Sequence, residues 1–461
     1  MATAASARFE PAHPPRDADY PPVWRGLVGE RARNVVHRVP EPAFDALHRL
    51  LRVAHLRVHV VSDPTMIGHV LQANAANFER PPLSRKILNP LIGDGLLTAE
   101  GPAWKLQRRI VAGAFTPHAV TRMIGLMADA TRAQIASWPA GPARLDLAAE
   151  ATRLTMRVIT DALFGGDSRL ASAEATAHIA RVIAATGQPR PMTLFGLGHL
   201  DPSPGQVAMR RSTRWLRAAV GGLVDDAARG ADDHFFARLV RALAAEYPRE
   251  QAGALALDNA LTFFVAGHET SATVLAWCAY LFAAQPALQE HLRAEALAAL
   301  AGTPEALPDA LPLLRRFIDE TMRLYPPLAQ IGRQALAEDA LPRSSGSAVS
   351  VRKGDVVMIY PWLVHRHRAL WDDPDAFDLD RFAPERRAAQ HRFQYLPFGA
   401  GPRICVGQRF AQVELLVILA HWLAAARFAL PAGMAPMPHG TVTLRPRGGM
   451  PLDITPLDPG R

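Results

Sequence analysis

The residue with the clearest chemical potential is Cys405, which lies in Phe398-Gly399-Ala400-Gly401-Pro402-Arg403-Ile404-Cys405-Val406-Gly407, just ahead of an apolar helical run from Gln408 onward. A thiol becomes a metal ligand only as the thiolate, so it must be held deprotonated against an ordinary pKa of about 8.5. A helix starting just behind the sulfur would aim backbone N–H donors and the positive end of its dipole at it. Gly401 and Gly407 let the chain turn tightly and approach a flat group without a Cβ clash. Phe398 can pack beside the sulfur and restrict water, and Arg403 is placed to pair with a carboxylate. Taken alone, Cys405 is also readable as a small core residue in a Gly-rich turn. Zinc is poorly served, because no second cysteine or His/Cys cluster accompanies it.

A second constellation, Ala266-Gly267-His268-Glu269-Thr270-Ser271, interrupts the most apolar stretch of the chain, Ala254 to Ala284. Charges this deep are costly in a membrane span, so the stretch reads as a long buried helix of a soluble protein. Small residues at Ala266 and Gly267 allow close approach, and the Thr270 hydroxyl can bond back to the preceding turn and loosen the helix. With Glu269 as an ionisable group, the pair suits proton relay. The plainer reading has Thr270 capping a kink and Glu269 paired with an arginine elsewhere. His268 reads as solvent-facing or structural. Cys278, eight residues beyond Thr270, reads as an unreactive buried residue. Glu320 and Arg323 place opposite charges three apart on one helix face, a common arrangement, and Pro326-Pro327 end that helix. Trp104 and Arg108, four apart on another helix, suit a carboxylate.

Together these stretches resemble the cytochrome P450 family. The cysteine loop is similar to the family's haem-binding signature, Phe-x-x-Gly-x-Arg-x-Cys-x-Gly, at every fixed position. The hexapeptide resembles its distal-helix motif, Ala/Gly-Gly-x-Asp/Glu-Thr-Thr/Ser, and Glu320-Thr321-Met322-Arg323 its Glu-x-x-Arg. Trp104 to Arg108 resembles its Trp-x-x-x-Arg, and the motifs follow in the family's order from about Leu51 to the C-terminus. The resemblance implies a triangular haem-thiolate domain binding haem b (iron protoporphyrin IX). Cys405 would be the axial ligand of the iron, with Phe398, Gly401, Arg403 and Gly407 around it. Ala266 would lie against the haem's other face, where Glu269 and Thr270 serve oxygen activation. Trp104, Arg108 and Arg333 would hold haem propionates, and Glu320, Arg323 and Arg381 would form a structural cluster. Leu379 stands where the family's arginine segment has proline, so Arg386 is an alternative to Arg381; spacing to Cys405 favours Arg381.

The implied reaction inserts one atom of dioxygen into a C–H or C=C bond of an apolar small molecule, the other leaving as water, and consumes two electrons and two protons. No flavin or nicotinamide domain follows Leu457, so the expected electron source is a separate ferredoxin with its reductase, docking on a basic surface near Cys405. A peroxide-driven relative and a haem-based sensor or carrier are the alternatives; the first tends to lack the acid and alcohol pair, and the second needs no proton relay.

The elements that must position these residues are mainly helical. Apolar residues recur at helical spacing over Ala43 to Val53, Trp104 to Val111, Ala148 to Phe164, Ala171 to Ala185, Val207 to Ala228, Phe235 to Ala245 and Glu414 to Phe428. Strand patterns are short: Leu56 to Val61, Val349 to Val351, Val356 to Tyr360 and Thr441 to Leu444. The fold class is therefore mainly α with small, mostly antiparallel β-sheets, and Trp371 to Tyr395 reads as a long ordered coil. The 39 prolines are scattered and no repeat or linker is visible, which predicts a single domain over 41–461 behind a partly disordered N-terminal extension over 1–40. A formal charge of +8 is spread along the chain, fitting an acidic protein partner better than nucleic acid. Two cysteines and no signal-like or anchor-like run suggest a cytoplasmic protein. Substrate selectivity is expected from Phe78 to Leu97, Gly187 to Gly205 and Leu328 to Ile331, with Met192, Leu194, Phe195, Leu197 and Leu200 in the middle segment and Phe263 or Phe264 beside the site.

Overall fold

The computed structural model describes residues 9–457 apart from 23–24, 26–28, 54–55, 187–200 and 231–233. Six helices bear on the site: α1 (Gly101–Ala112), α2 (Leu147–Phe164), α3 (Pro204–Arg229), α4 (Arg249–Ala284), α5 (Pro312–Leu324) and α6 (Gln408–Ala425). Their ends follow local chemistry. Proline sits in the first turn of α1, α3 and α5, where its missing N–H costs nothing. Asp146 caps α2 by accepting from the Ala148 and Ala149 N–H groups at 3.0 and 3.3 Å.

The 36-residue helix α4 is the axle of the fold, packed against α2, α3, α5 and α6. Every residue from Ser271 to Ala283 is buried, which explains why its sequence lacks a polar stripe: a helix surrounded by protein is apolar all round. Trp277 stacks on Tyr325 at 3.9 Å and Phe282 on Phe317 at 4.6 Å, tying α4 to α5 and the residue after it. Each large apolar side chain buried this way contributes about 1.5–3 kcal/mol.

Beside this body lies a five-stranded sheet of β1 (His48–Val53), β2 (Leu56–Val61), β3 (Phe78–Glu79), β4 (Ile331–Ala335) and β5 (Val356–Ile359), in the order β1-β2-β5-β4-β3. β2 and β5 are parallel, the other pairs antiparallel. Here the helix expected over Ala43 to Val53 is corrected. Only Glu41–Asp45 forms a short 3₁₀ turn, and His48–Val53 pairs with Val61–Leu56 as a hairpin; a strand partner next in sequence outweighs the local spacing. The same competition shortens the last helix. It stops at Ala425 instead of reaching Phe428, because Ala426–Ala429 pair with Pro456–Asp453. The strand expected at Thr441 to Leu444 falls largely on the turn between strands Pro438–Gly440 and Leu444–Pro446.

Residues ahead of β1 run along the body. The Phe377 N–H donates to Phe9 O at 2.9 Å, the Tyr325 hydroxyl donates to Ala12 O at 2.7 Å, and the Asn34 side chain bonds Pro438 O and the Gly440 N–H. Among the described residues no single helix is long and apolar enough to cross a membrane.

Candidate active site

Cys405 sits at the end of a tight loop in which its own N–H donates to Phe398 O at 3.0 Å and the Ile404 N–H donates to Gly401 O at 3.0 Å. Gly401 has φ +69°, and a Cβ there would lie 1.7 Å from Leu71 O. Its smallness is thus demanded by the neighbouring backbone more than by any flat group. Gly407 has an ordinary φ of −87°, so it is not the turn-maker its position suggests; its N–H is turned to the sulfur instead. The Cys405 side chain is open on one side, yet enough protein rings it that burial pushes its thiol up, against smaller opposing pulls from the Gly407 N–H and Arg108. The expected helix-end effect loses to desolvation, and a stable thiolate here draws on the charge of a bound metal. Cys278 is sealed inside α4 and pushed up to about 12.

Near the loop, arginines outnumber their partners among the described residues. Arg403 donates to Ala99 O at 2.8 Å, pairs with Glu100 and lies 4.1 Å over the Trp104 ring. Arg333, on β4, bonds its neighbour's carbonyl, Gly332 O, at 2.8 Å. Arg80, to which no sequence motif points, has a buried Nε without a hydrogen-bond partner and reaches Glu100 only at 3.9 Å. Burial followed by mutual repulsion pulls Arg80 down to about 9 and Arg333 to about 10. Three guanidinium groups around one carboxylate lack anions. A group with two carboxylates, as haem b has, fits the deficit. Arg108 lies close enough to Cys405 for their charges to interact. The signal for Arg80 is faint: one basic residue between a two-residue strand and Pro81-Pro82.

On α4 the Thr270 hydroxyl donates back to Ala266 O at 2.8 Å, and Ala266 is exposed. Gly267 does not serve approach to a cofactor. A Cβ there would meet Ile159 of α2 at 2.8 Å, so the glycine seats α4 on α2. His268 is buried, its Nδ1 hydrogen-bonded to Phe264 O at 2.5 Å, a structural role. Glu269 is buried and does not meet solvent directly. Arg445 Nε donates to its Oε1 at 2.7 Å, and the Thr443 hydroxyl donates to the same oxygen. Arg445 is itself partly exposed.

Glu320, Arg323 and Arg381 come together at the inner end of α5. Arg323 makes two bonds to Glu320, 2.7 and 2.8 Å, and reaches His365 O, Pro374 O and Ala376 O. Arg381 Nε is 3.4 Å from Glu320 and its terminal nitrogens bond Asp372 O and Asp373 O. Arg386 stands outside, paired with Asp378 at 2.8 Å. His365, another residue that no motif singles out, links the cluster to the cysteine loop: its Nδ1 faces Arg323 O at 3.2 Å and its Nε2 accepts from the Leu396 N–H at 2.8 Å. The segment Gly187 to Leu200, with the five apolar residues expected at the substrate, lies outside the described residues.

Comparison with known proteins agrees with this geometry. The cytochrome P450 family model matches residues 46–209 and 253–451. Cyclooctat-9-en-7-ol 5-monooxygenase of Streptomyces melanosporofaciens is 30% identical over 378 residues, covering 80% of each chain. Leukotriene-B4 omega-hydroxylase 3 of Mus musculus is 28% identical over 422 residues, 86% of this chain and 80% of that one. The crystal structure of the cytochrome P450DA heme domain superposes with a TM-score of 0.80 at 22% identity over 98% of both chains, a likeness of fold. The family binds haem b through a cysteine thiolate and incorporates oxygen from dioxygen with electrons from redox partner proteins. This chain, with its open thiol ahead of α6, its anion-deficient arginines and its back-bonded threonine on the axle helix, belongs to the cytochrome P450 family.

Proposed function

We propose that the chain, as one haem domain over 41–461, is a cytoplasmic monooxygenase that hydroxylates or epoxidises an apolar small molecule. Electrons would come from a ferredoxin and its reductase. When bound, the haem supplies the iron at which dioxygen is reduced. Cys405 would supply the sulfur that holds the iron, with Phe398 limiting water beside it and the Gly407 N–H polarising the thiolate. Arg80, Arg333 and Arg403, with Trp104 and Arg108, would hold the two propionates, whose carboxylates would supply the anions the cluster lacks. The Thr270 hydroxyl on α4 would hold a proton for oxygen activation, and Glu269 would relay protons to it from the Arg445 end, which touches solvent.

Lys105 on α1, Arg409 in the first turn of α6 and Arg122 between them in sequence are exposed. They form a basic landing for an acidic ferredoxin. Leu88 and Leu97, partly buried, belong to the apolar surroundings from which the substrate site is drawn, whereas Phe263 packs on Phe115 and Phe235 within the core. The two relatives above are named for leukotriene B4 and cyclooctat-9-en-7-ol, which agrees with an apolar substrate.

The observation that carries this reading is the open Cys405 beside buried arginines that share one carboxylate. Replacing Cys405 with Ser is expected to abolish the thiolate-type absorbance of the reduced carbonyl complex. Persistence of that absorbance would refute the ligand. Steady product formation with a surrogate ferredoxin system separates an enzyme from a haem sensor, and a panel of apolar compounds titrated against the visible spectrum narrows the substrate.

A further inference from the structure

Helix α2 reaches into α4 at one polar point. Thr155 is fully buried, and its hydroxyl lies 2.9 Å from Ala151 O and 3.3 Å from Thr152 O of its own helix, and 2.9 Å from His268 O of α4. A hydroxyl carries a single proton, so these carbonyls compete for it. Within α4 a pattern then emerges. The carbonyls of Phe264, Ala266 and His268 each face a side-chain donor: His268 Nδ1 at 2.5 Å, the Thr270 hydroxyl at 2.8 Å and the Thr155 hydroxyl at 2.9 Å. The first two donors belong to α4; the third comes from another helix.

A side-chain donor on a helical carbonyl competes with the N–H four residues on and weakens the turn. For His268 O that N–H is Ala272's, so the turn affected carries Glu269, Thr270 and Ser271. Close contact makes the reach feasible, since Gly267 lets α4 settle on Ile159, four residues along α2 from Thr155. We propose that Thr155 is a positioning residue for oxygen activation: its hydroxyl grips the His268 carbonyl from behind and weakens the helical bond that the Ala272 N–H makes to it, so that the turn of α4 presenting Glu269 and Thr270, continuous in the helix, opens more readily. This rests on the assignment of Thr270 to the oxygen site made above.

Thr155→Val keeps the side-chain volume and removes the O–H; Thr155→Ser restores it. In Thr155→Val, haem uptake is expected to persist. Amide hydrogen exchange at Ala272, read in protein with and without haem, should slow by roughly fivefold as the turn closes on its own N–H. The share of reducing equivalents lost to peroxide should rise by a similar factor, and Thr155→Ser should return both readings to those of the native protein. Unchanged exchange in Thr155→Val overturns the grip. Unchanged coupling in Thr155→Val, when Thr270→Ala does uncouple, overturns the role in oxygen activation. If neither variant uncouples, the Thr270 assignment itself falls, and this proposal with it.

Discussion

The coil behind the cysteine loop and the middle of α4 are built in opposite ways. Behind the loop, Glu320, Arg323, Arg381 and His365 are all buried and saturated with fixed partners, five bonds from Arg323 alone. On α4, the turn around Glu269 is one where donors compete for carbonyls, and its ion pair opens toward solvent through Arg445. A ligand must be presented in one place, which calls for an over-determined coil. Groups that pass protons must exchange partners, which calls for bonds that are easily traded. Rigidity and adaptability are here assigned to different elements.

The contrast can be broken most severely at Arg323. Arg323→Ala strands Glu320 as a buried, half-paired charge, and the expected loss is about 3–5 kcal/mol. Denaturant unfolding and haem content should both register it, while an equally stable variant would remove the claim that this coil is locked. Next in size is the acid response. Burial, then the nearby Arg323 and Arg366 charges, pull His365 down to about 3 from 6.5. The unfolded chain takes up a proton at this residue below pH 6.5 and the folded one does not until near 3. Stability should therefore drop as the pH is lowered across that window, by about 1.4 kcal/mol per unit. Urea unfolding at neutral and mildly acidic pH measures it, and His365→Gln should flatten part of that slope.

A third change separates stability from cofactor retention. Arg80→Met removes one of the crowded cations, so protein without haem should gain about 1 kcal/mol while haem transfer to a competing apoprotein speeds by about tenfold. Lower stability together with unaltered haem retention would show that Arg80 serves the fold and not the propionates.

Groups close together along the chain are legible in the sequence by itself. The Cys405 loop, the Thr270 back-bond to Ala266, the Glu320–Arg323 pair and the identity of α4 all depend on contacts within about one helical turn, which spacing encodes directly. Long-range partners are another matter. Glu269 meets Arg445 across 176 positions, Arg80 meets Glu100 past the helix Pro82–Ile92, and spacing that favours Arg381 over Arg386 does not say that it meets Glu320. His48–Val53 is a strand only because Leu56–Val61 lies beside it. Thr155 looks like any helix-interior threonine until α2 is laid against α4. Local spacing sets which groups share a helix face; which distant groups meet follows from the packing of whole elements, whose energy is spread over many side chains and leaves no mark at any one of them.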